Sequence, residues 1–162
     1  MIKLLSLSLL FVSCVMANMF NFTEIRYSDS IGRYIEMNGQ IEFLKDGLNV
    51  SYPKVSKSLE YKNDVLKYMD HSKEIYLGEI QQQQIKSYFD ILILLYKNDE
   101  KKLKEMFNII IDAKKMILIP KDNIKNYIAK IELSKQNKQL KSVKLFLKNS
   151  DKITIIIDDE IY

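Results

Sequence analysis

Histidine, cysteine and tryptophan are almost absent from this chain of 162 residues, which has one His, one Cys and no Trp. This His and Cys content falls below the ligand count of a structural zinc site, and a lone cysteine cannot form an internal disulfide. Four scattered glycines exclude a glycine-rich phosphate-binding loop. His71 lies in a turn-like segment with no nucleophile or second ligand at a fixed spacing. We therefore predict that the protein is not an enzyme and has no cofactor and no metal site.

Arginine is also rare, since Arg26 and Arg33 are the only two and the other 23 basic residues are lysines. The formal net charge is +4, which is a weak excess. Compact lysine charges of this kind are typical of a solvated surface, whereas phosphate and base recognition relies on the forked guanidinium group. We predict no nucleic-acid partner.

The amino terminus has a short basic start followed by a nearly unbroken apolar run from Leu4 to Met16. The run is shorter than the roughly 20 residues that a membrane-spanning helix needs. Val15-Met16-Ala17 supplies a cleavage site, so we predict a signal peptide over residues 1–17 and export to the periplasm. An alternative stays open, because Phe11-Val12-Ser13-Cys14 is an imperfect lipobox that would make Cys14 a lipidated anchor.

From Phe20 onward, apolar residues mostly alternate with polar ones, which is typical of half-buried strands. Residues 41–44 and 48–52 alternate in this way on either side of Lys45-Asp46-Gly47. This pattern predicts a β-hairpin, with Gly47 placed to take a positive φ. Further turns are predicted at residues 62–64, 134–139 and 149–151.

The pattern changes at Glu79. Four apolar residues then recur at spacings of four, three and four, which forms a helix stripe: Ile85, Phe89, Leu92 and Tyr96. Alternating segments return between Met106 and Ile157. We therefore predict a mainly β domain over residues 18–162, in which one helix crosses a large antiparallel, meandering sheet.

Several segments carry a family resemblance. Gly39-Gln40-Ile41-Glu42-Phe43 has the form Gly-x-hydrophobic-x-Phe, and Leu48 to Pro53 follows it as a second strand. Phe89 to Lys97 occupies the place of a lid helix in mid-chain, and Met116 to Lys121 is a strand ending in Pro-Lys. With the closing strands of residues 128–157, the chain resembles the LolA-like outer-membrane lipoprotein carriers along nearly its whole mature length.

The resemblance implies an incomplete β-barrel whose concave apolar face holds acyl chains under a short helical lid. It implies a periplasmic carrier whose partners are acylated lipoproteins, an inner-membrane lipoprotein-releasing transporter and an outer-membrane acceptor, and we expect a monomer. The family's amino-terminal helix would be supplied only by Asn18 to Phe22, and no arginine lies near Lys45-Asp46 to tie the lid. The predicted lipid-binding residues lie on the apolar strand face or on the lid: Ile41, Phe43, Val50, Tyr52, Tyr61, Ile85, Phe89, Leu92, Tyr96 and Leu145.

Two alternative functions remain open at this point. A protein lipidated at Cys14 would be an anchored outer-membrane acceptor of the LolB type with the same fold. A periplasmic interaction module with a filled core would bind no lipid at all.

Overall fold

The computed structural model describes residues 18–112 and 115–160. The predicted signal peptide and Cys14 lie outside the described residues. The described part holds eleven β-strands and two α-helices, with short 3-10 turns at Pro53–Val55 and Asp122–Asn126. The bounds are β1 Asn18–Ser28, β2 Arg33–Leu44, β3 Gly47–Tyr52, β4 Lys57–Lys62, β5 Val65–Asp70, β6 Lys73–Ile75, α1 Glu79–Lys97, α2 Glu100–Met106, β7 Phe107–Asp112, β8 Lys115–Pro120, β9 Ile128–Gln136, β10 Gln139–Leu147 and β11 Lys152–Glu160.

All eleven strands form one antiparallel sheet in the order β6-β5-β4-β3-β2-β1-β11-β10-β9-β8-β7. The chain runs outward from β1 to the edge strand β6, and the two helices then carry it to the opposite edge strand, β7. It returns inward to β11, which pairs with β1. The two edge strands do not pair with each other, so the sheet stays open. The predicted fold class, a large antiparallel sheet that forms an incomplete barrel with a helix, is confirmed.

One face of the sheet packs against α1, because the alternation of the strands places their apolar side chains on that face. Phe22 of β1, Ile41 of β2 and Val143 of β10 share a buried cluster with Phe89 and Leu92 of α1. The helix has 19 residues and ends at Lys97; its C-cap Asn98 lies in the left-handed region and donates its N–H to the carbonyl oxygens of Leu94 and Leu95. Neither of the helices in the described ranges has the length and apolarity needed to cross a membrane.

The amino-terminal segment differs from the expected helix. Asn18 to Phe22 belongs to strand β1, which pairs with β2 on one side and β11 on the other. The segment therefore follows the period-two pattern that begins at Phe20 and forms a strand, where the family usually has a helix. The predicted turn at 134–139 is also shorter than expected, because β9 continues to Gln136 and only Asn137 and Lys138 turn.

The β2–β3 hairpin forms at the predicted place, but the prediction for Gly47 is wrong. Gly47 does not adopt a positive φ, and it lies inside β3 opposite Lys62. A Cβ atom at this position would lie 1.9 Å from the carbonyl oxygen of Tyr61. The glycine is needed because two backbones approach closely there. Positive φ values occur instead at Asn63 and Asp64, in the predicted turn between β4 and β5.

Candidate functional site

A cavity of about 310 Å³ lies between α1 and the inner face of the sheet. We call it the α1 cavity. Its walls come from α1 and from strands β1, β2, β3, β4, β10 and β11, together with Leu77 just before the helix. Most of the lining is apolar, as expected where the alternating inner positions of several strands meet one helix face. Its size is at the lower end of the range found for small-molecule sites.

Seven of the ten predicted residues line the α1 cavity: Ile41, Val50, Tyr52, Ile85, Phe89, Leu92 and Leu145. The structure thus brings together most of the residues that the alternation and the helix stripe indicate. Lipid binding by these residues remains a prediction.

Three predicted residues lie outside this cavity. The rings of Phe43 and Tyr96 stack at a centroid distance of 3.8 Å, and Phe20 packs edge-on against Tyr96. Both stacked rings border a separate cavity of about 290 Å³ beside β1 and β10. Tyr61 packs against Phe89, and its hydroxyl donates a hydrogen bond of 2.8 Å to Asp90 Oδ1. These three residues attach α1 to the sheet.

A polar cluster of Glu24, Arg26 and Tyr52 interrupts the apolar lining. Arg26 Nε donates to Glu24 Oε1, and the Tyr52 hydroxyl donates to Glu24 Oε2. Burial works against the charged form of Arg26, but the hydrogen bond and charge of Glu24 prevail and raise the pKa of Arg26. Burial and the neighbouring Glu24 carboxylate raise the pKa of Tyr52 well above its ordinary value. At neutral pH Arg26 is therefore cationic and Tyr52 carries its proton.

Glu24 and Arg26 were not among the predicted site residues. The signal that could have found them is the period of β1, because Glu24 and Arg26 continue the alternation of Phe20 and Phe22 on the inner face. A carboxylate at an inward position of an apolar strand needs a partner, and the arginine two residues later faces the same side.

The helix adds polar groups that sequence reasoning also missed. Gln81, Gln84 and Tyr88 line the α1 cavity beside the predicted residues of the stripe. Tyr88 lies within the electrostatic reach of Arg26, while burial raises the pKa of the Tyr88 hydroxyl. Residues 81–84 are four consecutive glutamines, and two of them therefore lie in the cavity wall.

Polar contacts fasten α1 at several points besides Tyr61. Lys86 Nζ lies 3.4 Å from Asp64 Oδ1, in the turn between β4 and β5. Lys97 Nζ donates to the carbonyl oxygen of Lys45 at 2.9 Å. A lysine of the helix thus reaches the hairpin turn where the sequence provides no arginine. On the opposite side, the hydroxyls of Ser87 and Tyr127 lie 3.0 Å apart.

No cluster of three or more His, Cys, Asp or Glu side chains suitable for a metal ion occurs among residues 18–112 and 115–160. His71 lies in a two-residue turn and contacts Asp70 Oδ1 at 2.6 Å. What the described site offers is an apolar cavity with one charged, hydrogen-bonding cluster.

No protein-family model matches this sequence, and no curated protein matches it. Among solved structures, the crystal structure of a LolA superfamily protein from Nitrosomonas europaea is similar to this chain. The sequences are 10% identical, the match covers 89% of this chain and 84% of that one, and the TM-score is 0.41. A similarity at this level says nothing about ligands or site residues.

Proposed function

We propose that this protein is a periplasmic carrier that shields the acyl chains of lipoproteins in transit from the inner to the outer membrane. The observation that carries the proposal is the α1 cavity, a mostly apolar space of about 310 Å³ between a sheet face and one helix. Removing an acyl chain from water stabilises a complex by about 0.8 kcal/mol per methylene. A chain of about twelve carbons therefore gains on the order of 9 kcal/mol before the cost of ordering it.

In this proposal α1 acts as a lid over the cavity. Several polar contacts hold it, but those of Lys86 and Lys97 lie at exposed positions where single bonds contribute little. Most of the attraction between helix and sheet comes from apolar side chains such as Phe89 and Leu92. Acyl chains can replace these apolar contacts, so loading exchanges one set of buried surfaces for another.

The test is uptake of a fluorescent triacylated peptide by the purified protein and by Phe89→Asp. Phe89 is 8% exposed and lines the cavity, so a carboxylate there places an unpaired charge in the apolar wall. We expect uptake to fall at least tenfold. Ile80→Asp is the matched control, because Ile80 lies on the same helix but is 74% exposed. Equal uptake by the wild type and Phe89→Asp would contradict the assignment of α1 as the lid.

The partners in this proposal are acylated lipoproteins, a releasing transporter in the inner membrane and an acceptor at the outer membrane. The anchored-acceptor alternative differs in its amino terminus, so the intact mass of protein taken gently from its native envelope separates the two. A chain beginning at Asn18 with a removable lipid adduct supports the soluble carrier, whereas an acylated Cys14 supports the anchored acceptor. The cavity favours either of these over an interaction module with a filled core.

A further inference from the structure

Arg26 lies where the α1 cavity meets the solvent. Its side chain is 52% exposed, while that of its partner Glu24 is only 4% exposed. A guanidinium group has five N–H donors in a fixed fork. The Nε donor is engaged by Glu24, and Tyr52 lies close enough to interact with the same group. The remaining donors lie at the boundary between the cavity and water.

Glu24 is satisfied by its neighbours. Each carboxylate oxygen accepts one hydrogen bond, from Arg26 and from Tyr52 respectively. The carboxylate is buried, so it holds the guanidinium in place and offers little to a ligand. The negative charge of Glu24 and the positive charge of Arg26 offset each other inside, and the exposed part of the pair is the cation.

The volume of the α1 cavity limits what it can hold in this arrangement. An apolar protein cavity of about 150 Å³ accommodates one benzene molecule, which has six carbons. A cavity of about 310 Å³ therefore corresponds to about twelve carbons. This is one acyl chain of moderate length, and three chains would require α1 to move away from the sheet.

We propose that the α1 cavity seats a single acyl chain of about twelve carbons, with the oxygen atoms of its head group accepting hydrogen bonds from Arg26. This inference rests on the proposed carrier function and specifies the arrangement of the ligand. Glu24 is a positioning residue, and the chain lies along Ile153, Ile155 and Phe89, which line the cavity with Arg26. Gln81 and Gln84 of α1 add polar groups to the same wall. The acyl oxygen comes from a free fatty acid or from an esterified chain of a lipoprotein.

The test is calorimetric titration of the delipidated full protein at pH 7.4 with three ligands of equal chain length: dodecanoate, methyl dodecanoate and dodecylamine. Dodecanoate should bind at least tenfold more tightly than dodecylamine, because a guanidinium favours an oxygen acceptor and repels an ammonium group. An ester that binds nearly as tightly as the acid indicates an esterified chain as the natural source. An ester that binds far more weakly indicates a free fatty acid.

Equal affinities for the three ligands, or tightest binding of dodecylamine, would overturn the assignment of Arg26 while leaving the carrier function intact. Failure of all three ligands to bind would overturn both proposals.

A double variant, Glu24→Gln with Arg26→Gln, removes both charges and so leaves no unpaired carboxylate inside. It should bind the acid and the amine with affinities within about threefold of each other. Arg33→Gln is the matched control, because Arg33 is the other arginine and lies exposed at the start of β2. It should keep the preference for the acid. If the double variant does not fold, the comparison of the three ligands on the wild-type protein still tests whether Arg26 binds the head group.

Discussion

Glu24 is the one charged side chain that is buried within the part of the chain that the structure describes, and the residue is 3% exposed. An ionised carboxylate is costly to take out of water unless it is paired and hydrogen-bonded. Arg26 and Tyr52 meet that requirement with one bond to each oxygen. The three residues therefore form a unit. The effect of changing one of them alone would combine two causes, the loss of a ligand contact and the cost of leaving a buried group unpaired.

Gly47 gives a testable prediction at this scale. In Gly47→Ala the new Cβ atom would overlap the carbonyl oxygen of Tyr61 and approach the Cα atom of Lys62, and both belong to backbone. The strands must separate to admit it, so we expect the free energy of unfolding to fall by about 2 kcal/mol or more. Urea denaturation measures the change.

The control for this change is Gly78→Ser. Gly78 precedes α1 as its N-cap, and a Cβ atom there meets nothing within 4 Å. Serine in place of glycine at an N-cap changes stability by only a few tenths of a kcal/mol. A Gly47→Ala protein as stable as Gly78→Ser would show that β3 and β4 have room to move apart.

At the scale of elements, the attachment of α1 to β4 depends on Tyr61 and Asp90. Partial burial disfavours the ionised form of Asp90, the Tyr61 hydrogen bond favours it, and the net effect is a raised pKa for Asp90. A carboxylate whose pKa is raised by folding contributes stability that is present below its unfolded-state pKa and is lost as the pH rises through its folded-state pKa. Ionisation of Asp90 therefore lowers the stability of the folded protein as the pH rises.

Asp90→Asn keeps an acceptor for Tyr61 and removes the charge. We expect the variant to gain stability relative to the wild type as the pH rises from about 3.5 to 7, because only the wild type ionises in that interval. Urea denaturation at the two pH values measures the difference. Tyr61→Phe is the companion variant, which removes the hydrogen bond at every pH. A stability difference between Asp90→Asn and the wild type that stays constant with pH would show that solvent reaches Asp90 freely.

The elements and most of their partners were predictable from local pattern, because a meandering sheet pairs each strand with its neighbour along the chain. Alternation located the β2–β3 hairpin and the turn at Asn63 and Asp64, and the change from alternation to helical spacing located the helix that begins at Glu79. Periodicity describes one strand at a time, so it could not show that β1, the first strand, also pairs with β11, the last. Alternation identified Ile41 and Leu145 as inward residues, and the same pattern in β1 indicates Glu24 as well. The bond from Tyr52 to Glu24 joins β3 to β1, so the period of one strand could not predict it. Gly47 shows the same limit for a single residue. A turn pattern in the sequence does not reveal that the backbone of β4 lies against Gly47.

At the scale of the whole molecule, the two halves of the sheet share one core. Val50 of β3 and Val143 of β10 belong to the same buried cluster, and both border the α1 cavity. The seam between the halves is the pairing of β1 with β11, which extends from Phe20 to Tyr27. Separating the halves would therefore expose buried apolar residues of both.

Native-state hydrogen exchange tests whether the two halves of the sheet unfold together. We expect the amides of Val50 and Val143 to exchange with the same free energy of opening, because opening either half exposes the common core. The amides of β6 serve as the internal control, since this three-residue edge strand is exposed and should open at a much lower free energy. A distinctly lower opening free energy for one of the two valines would show that the halves unfold separately.

The seam also determines when the protein can fold. Phe22 lies opposite Ile157, 135 positions further along the chain, and contacts of such high order close slowly. At synthesis rates of about 5–20 residues per second, roughly 7 to 27 s pass between the appearance of these two residues. During that interval β1 is an unpaired edge with an apolar face, which is the type of surface that associates with other chains. We therefore expect the nascent chain to be most prone to association with other chains before β11 has been synthesised.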